Sequence, residues 1–317
     1  MSNTGPTLVT GATGFVGSHL LDRLADEAAV VAWHRPDGRE PDATRHVDWR
    51  AVNLLNADDV RAALEDVMPS RIFHIAGAAD VGSSWKNVVP HLQTNVLGTH
   101  HVLEAVRLAS WVCRVLVVSS AHVYHHGDEP IDESAPLLPD TPYGLSKLAQ
   151  DQLALRAATE DDLDVVIARP FNHVGPRQRP DFAVSSFARQ IALIEAGRAP
   201  ATIRVGNLDA RRDITDVRDV VEAYHLLMQA APAGRPYNIS SGRAWKIRDL
   251  LEELRQMSRV PVTIEIDETR LRPNDMPVVQ GDATRIRAEL GWLPRIPVEQ
   301  TLADTLDWWR EQIRSTD

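Results

Sequence analysis

Residues 7–25 read TLVTGATGFVGSHLLDRLA: a short β-branched run, three glycines spaced three apart, then an amphipathic helical stretch. Gly11, Gly14 and Gly17 let the backbone turn tightly between strand and helix. They also let it approach a pyrophosphate seated at the positive helix N-terminus. Glycines at this spacing serve sharp strand-to-helix turns without any ligand, so the motif takes its meaning from its place. It joins the first strand to the first helix, where a dinucleotide-binding unit keeps its phosphate cradle.

The same alternation continues downstream. VVAW (30–33), RIFHIA (71–76), RVLVVSS (114–120) and VVIARP (165–170) are near-continuous apolar runs, of the kind buried on both faces of a parallel sheet. Helical patterns over 15–26, 57–68, 91–109 and 142–160 separate them. In 91–109, Leu92, Val96, His100, Leu103 and Val106 fall near one face. Strand–helix alternation predicts an α/β fold, a doubly wound parallel (Rossmann) sheet. The polar, proline-bearing stretch 35–48 reads as an exposed loop. After Pro170 the rhythm changes to a loop, then a helix at 182–196, a strand at 237–240, a helix at 246–257, a strand at 262–266 and a closing helix at 298–314. The expected division is a dinucleotide-binding domain of 1–171 plus about 213–240. A smaller C-terminal α/β lobe of 172–212 and 241–317 would bind the substrate.

The 317 residues suffice for one large α/β domain, or one with a smaller partner. A formal net charge of −10 argues against an electrostatic grip on nucleic acid or anionic membrane. Local arginines can still serve an anionic ligand. The one cysteine, Cys113, sits inside an apolar run, so it excludes an intrachain disulfide and reads as packing in a reducing compartment. No basic segment followed by an apolar region opens the chain, and no window approaches ~18 apolar residues. A soluble, cytoplasmic protein is expected.

The end of the second strand discriminates cofactors. VVAWHRPDG offers no Asp or Glu there for a ribose 2′-hydroxyl, whereas His34 and Arg35 stand where a 2′-phosphate would lie. A guanidinium suits that dianion, so NADP(H) is expected over NAD(H). Further on, TPYGLSKLAQDQ (141–152) sets Tyr143 and Lys147 four apart at the start of a helix, on one face. A neighbouring ammonium would lower the phenol pKa and let it exchange a proton near neutrality. SSAHVY (119–124) ends a strand in two hydroxyls, a common turn former, but Ser120 lies 23 residues before Tyr143 in a chain that also carries the glycine motif.

Together these motifs resemble the extended short-chain dehydrogenase/reductases, and the likeness runs from Gly11 to DTLDWWR (304–310). The resemblance implies that Ser120, Tyr143 and Lys147 are catalytic: Ser120 on the substrate oxygen, Tyr143 as acid/base, Lys147 on the nicotinamide ribose. It implies cofactor contacts at Gly11, Thr13, Gly14, Phe15, Val16, Gly17, His34, Arg35, Asn53, Leu54, Ala76, Ala78, Tyr143, Lys147, Pro170 and His173. Asn53 stands in VNLLNADDV where Asp is usual, HIAGAAD (74–80) resembles the loop lining the cofactor, and Asn95 the helix position that supports the site.

RPFNHVGPRQ (169–178), VGNLDARRDITDVRDVVEAY (205–224) and LRPNDMPVVQGDATRIRAELGW (271–292) resemble the GDP-sugar branch, which holds GDP-mannose 4,6-dehydratases and the reductases of their product. Implied substrate contacts are Ser83, Ser120, His122, Asn172, Asn207, Arg212, Arg272 and Asp275. The two arginines would grip the diphosphate through charge-assisted bonds, and Asp275 the nucleotide ribose. The resembling dehydratases place a glutamate at position 122 to remove water across C5–C6; this chain has His122. The expected activity is therefore NADPH-dependent reduction of the C4 ketone of GDP-4-dehydro-6-deoxy-D-mannose to GDP-D-rhamnose. A homodimer joined through 91–109 and 142–160 is implied. The alternatives are the dehydratase, a 4-epimerase, or a reductase giving the other C4 configuration. A non-catalytic dinucleotide-sensing regulator is a further one, against which intact Ser120, Tyr143 and Lys147 count. His122, His125 and His126 share one loop without Cys or acidic partners at usable spacing, so no metal is expected.

Overall fold

The computed structural model describes residues 5–38, 47–127, 129–271 and 276–315, apart from the side chain of Ser83. Its first six strands are β1 (Thr7–Thr10), β2 (Val30–His34), β3 (Val47–Ala51), β4 (Arg71–His74), β5 (Arg114–Val118) and β6 (Val165–Pro170). The second half adds β7 (Asn172–Val174), β8 (Thr202–Val205), β9 (Arg211–Asp216), β10 (Pro236–Ile239), β11 (Ala244–Lys246), β12 (Thr263–Ile266) and β13 (Val278–Val279). The main sheet runs β3-β2-β1-β4-β5-β6-β10, and every pair in it is parallel. This is the doubly wound sheet that the alternation predicts. Strand order reverses between β1 and β4, and such a switch point opens a ligand crevice at the C-terminal strand ends.

The helices are α1 (Phe15–Arg23), α2 (Ala57–Val67), α3 (Val81–Ser84), α4 (Val88–Leu92), α5 (Gly98–Leu108) and α6 (Pro142–Thr159), then α7 (Ala183–Glu195), α8 (Val217–Ala230), α9 (Ile247–Gln256), α10 (Thr284–Leu290) and α11 (Val298–Arg314). Adjacent strand residues point to opposite faces, and both faces are covered. Leu8 packs with Trp33, Ile72 and Val117 under α2, α5 and α6. Its neighbour Val9 packs with Phe73 and Leu116 against Leu20 of α1 and Tyr224 of α8. Hence the unbroken apolar runs. A separate core joins Phe187 and Ile191 of α7 to Leu250 and Leu254 of α9 and Leu302 and Leu306 of α11. Ile286 and Trp292, placed by the sequence with the C-terminal lobe, pack into the sheet core instead.

Three local readings change. The stretch read as a loop through 48 contains the start of β3, an edge strand whose half-exposed residues VDWRA carry charges on the solvent side. Helix α8, folded into a longer motif by the sequence reading, is a regular amphipathic helix capped by Asp216, whose side chain accepts from the Arg218 N–H. The span 91–109 is not one α-helix: α4 and α5 are joined by a π turn over Gln93–Leu97. Asn95 and Thr99 are fully buried, while His100 is exposed.

Cys113 is buried, and burial pushes its thiol up to about 12, which suits packing rather than reactivity. Among the described residues no helix is long and apolar enough to cross a membrane.

Candidate active site

The first strand ends at Gly11 with φ +67°, a left-handed conformation, and a Cβ there would stand 2.7 Å from the Ala76 Cα. A Cβ on Gly17 would stand 2.4 Å from the Gly11 carbonyl oxygen, so α1 sits directly on the turn. Gly14 begins α1 with no side-chain cap, leaving the helix's first N–H groups to an outside acceptor. The Phe15 ring lies parallel to that of His173 at 5.9 Å, and His173 Nδ1 donates to the Phe171 carbonyl. Thr13, Gly14, Phe15, Val16 and Gly17 lie on this turn and the start of α1, with Ala76 against Gly11 and His173 against Phe15, and its close approaches are ones only glycine permits. The cradle fits a pyrophosphate.

At the end of β2, His34 Nδ1 donates to the Arg35 carbonyl, and its ring meets the edge of Trp49. The Arg35 side chain is 82% exposed and stands 3.7 Å from Asp37, a contact too open to hold it. Asn53 Oδ1 accepts from the Leu55 N–H, and the Leu54 carbonyl accepts from His101.

Ser120 follows β5 and caps a single tight turn over Ala121–Val123, its Oγ accepting from the His122 N–H at 3.2 Å. Thr141 caps α6, accepting from the Gly144 N–H at 3.0 Å. Gly144 lies against the Ser120 turn: a Cβ there would be 2.4 Å from the His122 carbonyl oxygen. The start of α6 is therefore seated on the turn, which brings Tyr143 to Ser120. The His122 ring stands edge-on to Tyr143 at 5.5 Å and the His91 ring at 6.4 Å. Burial pushes the Tyr143 phenol up to about 12, with the Ser120 hydroxyl pulling it back down.

The sequence reading had Lys147 lowering the Tyr143 pKa, and the structure corrects it. The Lys147 ammonium donates to the Val118 carbonyl at 2.8 Å and Gln150 Oε1 at 2.7 Å. Burial draws it down to about 7, opposed by Asp151, while burial and the Ser120 bond set the direction of the phenol's shift. Tyr143 is consequently a full phenol at neutral pH, the form that gives a proton away.

Behind Lys147 runs a closed polar network. Gln150 Nε2 donates to Thr99 Oγ1, and Thr99 donates to the Asn95 carbonyl. His74 bridges Thr99 Oγ1 through Nε2 and Thr10 Oγ1 through Nδ1, each at 2.9 Å. With Thr99's proton already given to Asn95, His74 must donate from Nε2 and accept at Nδ1. Burial, followed by the Lys147 charge, draws His74 down to about 3, so it stays neutral. Asn95 Oδ1 accepts from the Ala78 N–H and its Nδ2 donates to Ser146, tying the β4 loop to α6. One turn further along α6, Asp151 pairs with Arg169, which also donates to the Tyr124 hydroxyl.

The expected substrate residues are less gathered. Asn172 is exposed on β7, and Asn207 Oδ1 accepts from the Asp209 N–H in a loop. Arg212 on β9 is half-buried, and its guanidinium donates to the Arg211 and Met276 carbonyls. Arg272, Asp275 and the Ser83 side chain lie outside the described residues. Sequence reasoning missed His74, Thr99, Gln150, Asp151 and Arg169. Two signals were available: Asp151 sits four residues after Lys147, on the same helix face, and Arg169 interrupts an apolar strand.

A family profile described as GDP-mannose 4,6 dehydratase matches residues 8–305. The chain is 35% identical to the GDP-6-deoxy-D-mannose reductase of Pseudomonas aeruginosa over 96% of this chain and 97% of that protein. It is 31% identical to the UDP-glucose 4-epimerase of Mycolicibacterium smegmatis, over 96% and 99%. The solved structure of RMD from Pseudomonas aeruginosa complexed with NADPH superposes with a TM-score of 0.84 at 34% identity, covering 97% of this chain and 99% of that one. Matched along nearly its whole length, the chain belongs to the GDP-mannose 4,6 dehydratase family.

Proposed function

We propose that the protein is an NADPH-dependent reductase that converts the C4 ketone of GDP-4-dehydro-6-deoxy-D-mannose to the alcohol, giving GDP-D-rhamnose. The observation that carries the reading is His122. Beside a complete Ser120–Tyr143–Lys147 constellation, the ring facing Tyr143 at 5.5 Å is an imidazole, where elimination would call for a carboxylate. The reductase from Pseudomonas aeruginosa and the NADPH-bound structure support the same choice.

The turn from Gly11 to Gly17 would hold the dinucleotide pyrophosphate, His34 and Arg35 its 2′-phosphate, and Lys147 its nicotinamide ribose. When bound, the reduced nicotinamide supplies the hydride for C4. Tyr143 gives its proton to the C4 oxygen, so hydride and proton together complete the alcohol. Ser120 hydrogen-bonds that oxygen as charge develops on it, an interaction stronger in the transition state than in the ground state. The neutral network behind Lys147 fixes its ammonium without adding a second charge. Arg212 would take the sugar diphosphate, with Asn172 on the paired strand β7.

The assignment of 1–171 with about 213–240 to the dinucleotide is part of this reading, supported by α8 and β10 packing on the sheet. So is a homodimer, which would cover Val89, Leu97 and Leu108 together with Leu145, all exposed. A reducing cytoplasm suits the reduced cofactor and the inert Cys113.

Incubation with NADPH and GDP-4-dehydro-6-deoxy-D-mannose should consume NADPH absorbance and yield a GDP-6-deoxyhexose. No loss of absorbance would sink the reading; dehydration of GDP-mannose without added reductant would replace it with the dehydratase. Tyr143→Phe should lower kcat by ~10²–10⁴-fold while leaving NADPH binding intact.

A further inference from the structure

His126 is 6% exposed, and neither of its ring nitrogens has a hydrogen-bond partner among the described residues. Among the described residues, every other buried histidine keeps at least one bond. His74 is paired at both nitrogens, His19 and His91 bond to backbone carbonyls, and His225 bonds Gln229. Buried polar groups in folded proteins are almost always satisfied, and a whole imidazole left out has a large desolvation cost with nothing in the fold to offset it.

Its place is as telling as its lack of partners. The His126 ring meets the edge of His122 at 5.8 Å, and His122 meets the edge of Tyr143 at 5.5 Å. His122 thus stands in ring contact with both His126 and the Tyr143 phenol. Burial lowers the His126 pKa, with Asp140 opposing and Arg212 and His125 adding to the fall. The ring is therefore neutral at pH 7, offering one donor and one acceptor. A phosphate oxygen could satisfy only the donor. A sugar hydroxyl, itself both donor and acceptor, can satisfy either nitrogen.

Resting on the reductase reading, we propose that His126 is a further substrate-binding residue, hydrogen-bonding a hydroxyl of the hexose held between Tyr143 and Arg212. Position 126 then recognises the sugar rather than the nucleotide. The imidazole is kept without a protein partner because the ligand supplies one.

Binding measured by calorimetry separates the possibilities, with GDP-mannose, GDP, UDP-glucose and NADPH as probes on the wild type and on His126→Phe and His126→Gln. Replacing the imidazole by an apolar ring of similar shape should weaken GDP-mannose by ~5–10-fold, the worth of one lost hydrogen bond. GDP and NADPH should bind as before, and thermal stability should hold or rise, since an unsatisfied group has been removed. His126→Gln, which keeps a donor and an acceptor, should restore part of the GDP-mannose affinity. Unchanged GDP-mannose binding in His126→Phe overturns the proposal, and so does an equal loss for GDP, which would put the contact on the diphosphate. A wild type that prefers UDP-glucose overturns the guanine part of the function while still testing His126 on that ligand. Binding of no nucleotide sugar overturns both.

Discussion

Asp151 and Arg169 meet in a two-pronged ion pair at 2.7 and 2.8 Å, with side chains 0% and 4% exposed, one helical turn beyond Lys147. The pair ties α6, which carries Tyr143 and Lys147, to β6 at the floor of the site. Arg169 also donates to Tyr124, whose hydroxyl donates to Asn238 on β10. Four charged or polar groups are thus satisfied together, away from water.

Breaking such a pair from one side strands the other charge. Asp151→Ala should destabilise the protein by ~3–5 kcal/mol, read as a lower midpoint in urea unfolding. The double variant Asp151→Leu with Arg169→Met should recover much of that loss, because no buried charge remains. A single variant as stable as the wild type would show that water reaches Arg169.

Gly144 supports the geometry in a different way. Its hydrogen faces the His122 carbonyl, and a methyl in its place would come within 2.4 Å of that oxygen and 2.8 Å of Pro139 Cβ. Gly144→Ala should push the Ser120 turn off α6. A displacement of about 1 Å between catalytic groups costs on the order of 10²-fold in rate, so kcat should fall by that order with NADPH affinity kept. Equal loss of cofactor binding would mean that the whole of α6 had moved.

Much of this was legible in the sequence, for a physical reason. Parallel strands covered on both sides are apolar along most of their length, so β1, β2, β4, β5 and β6 announce themselves. The glycines, Ser120, Tyr143 and Lys147 have spacings that the chemistry requires. What stayed hidden depends on tertiary partners. Edge strand β3 is half solvated and carries the composition of a loop. The π turn at Gln93–Leu97 inserts a residue that periodicity cannot register, and Asn95 and Thr99 are buried although both are polar. Helix spacing places Tyr143 and Lys147 on one face but says nothing of the Val118 carbonyl to which the ammonium donates.

On the proposed function, cofactor choice would rest on Arg35, whose side chain is exposed. Among the described residues Arg35 is paired only with Asp37, at 3.7 Å, so a 2′-phosphate would face little competition there. Arg35→Ala should weaken NADPH by ~10–100-fold, the range of a charged hydrogen bond, and leave NADH unchanged. Fluorescence titration of both cofactors reads the ratio. Parallel losses for the two would place Arg35 on the shared part of the dinucleotide.

The buried ammonium of Lys147 has a consequence for stability. In the folded chain it gives up its proton near pH 7, whereas in an unfolded chain it keeps it to about 10.4. Between those values the unfolded state binds more protons, so stability rises with pH, by at most ~1.4 kcal/mol per unit. The buried histidines, also lowered, act the same way but finish by about pH 7, near the unfolded histidine value. Cys113 and Tyr143, both raised to about 12, act oppositely, and only as the pH nears their unfolded values of about 8.5 and 10. The window from about pH 7.5 to 8.5 therefore belongs mainly to Lys147. Urea unfolding of the cofactor-free protein across it should show rising stability. Lys147→Met should flatten that rise, since the titrating group is gone. A rise of equal slope in both proteins would assign it to another group, and a flat wild type would mean that Lys147 keeps its proton inside the fold.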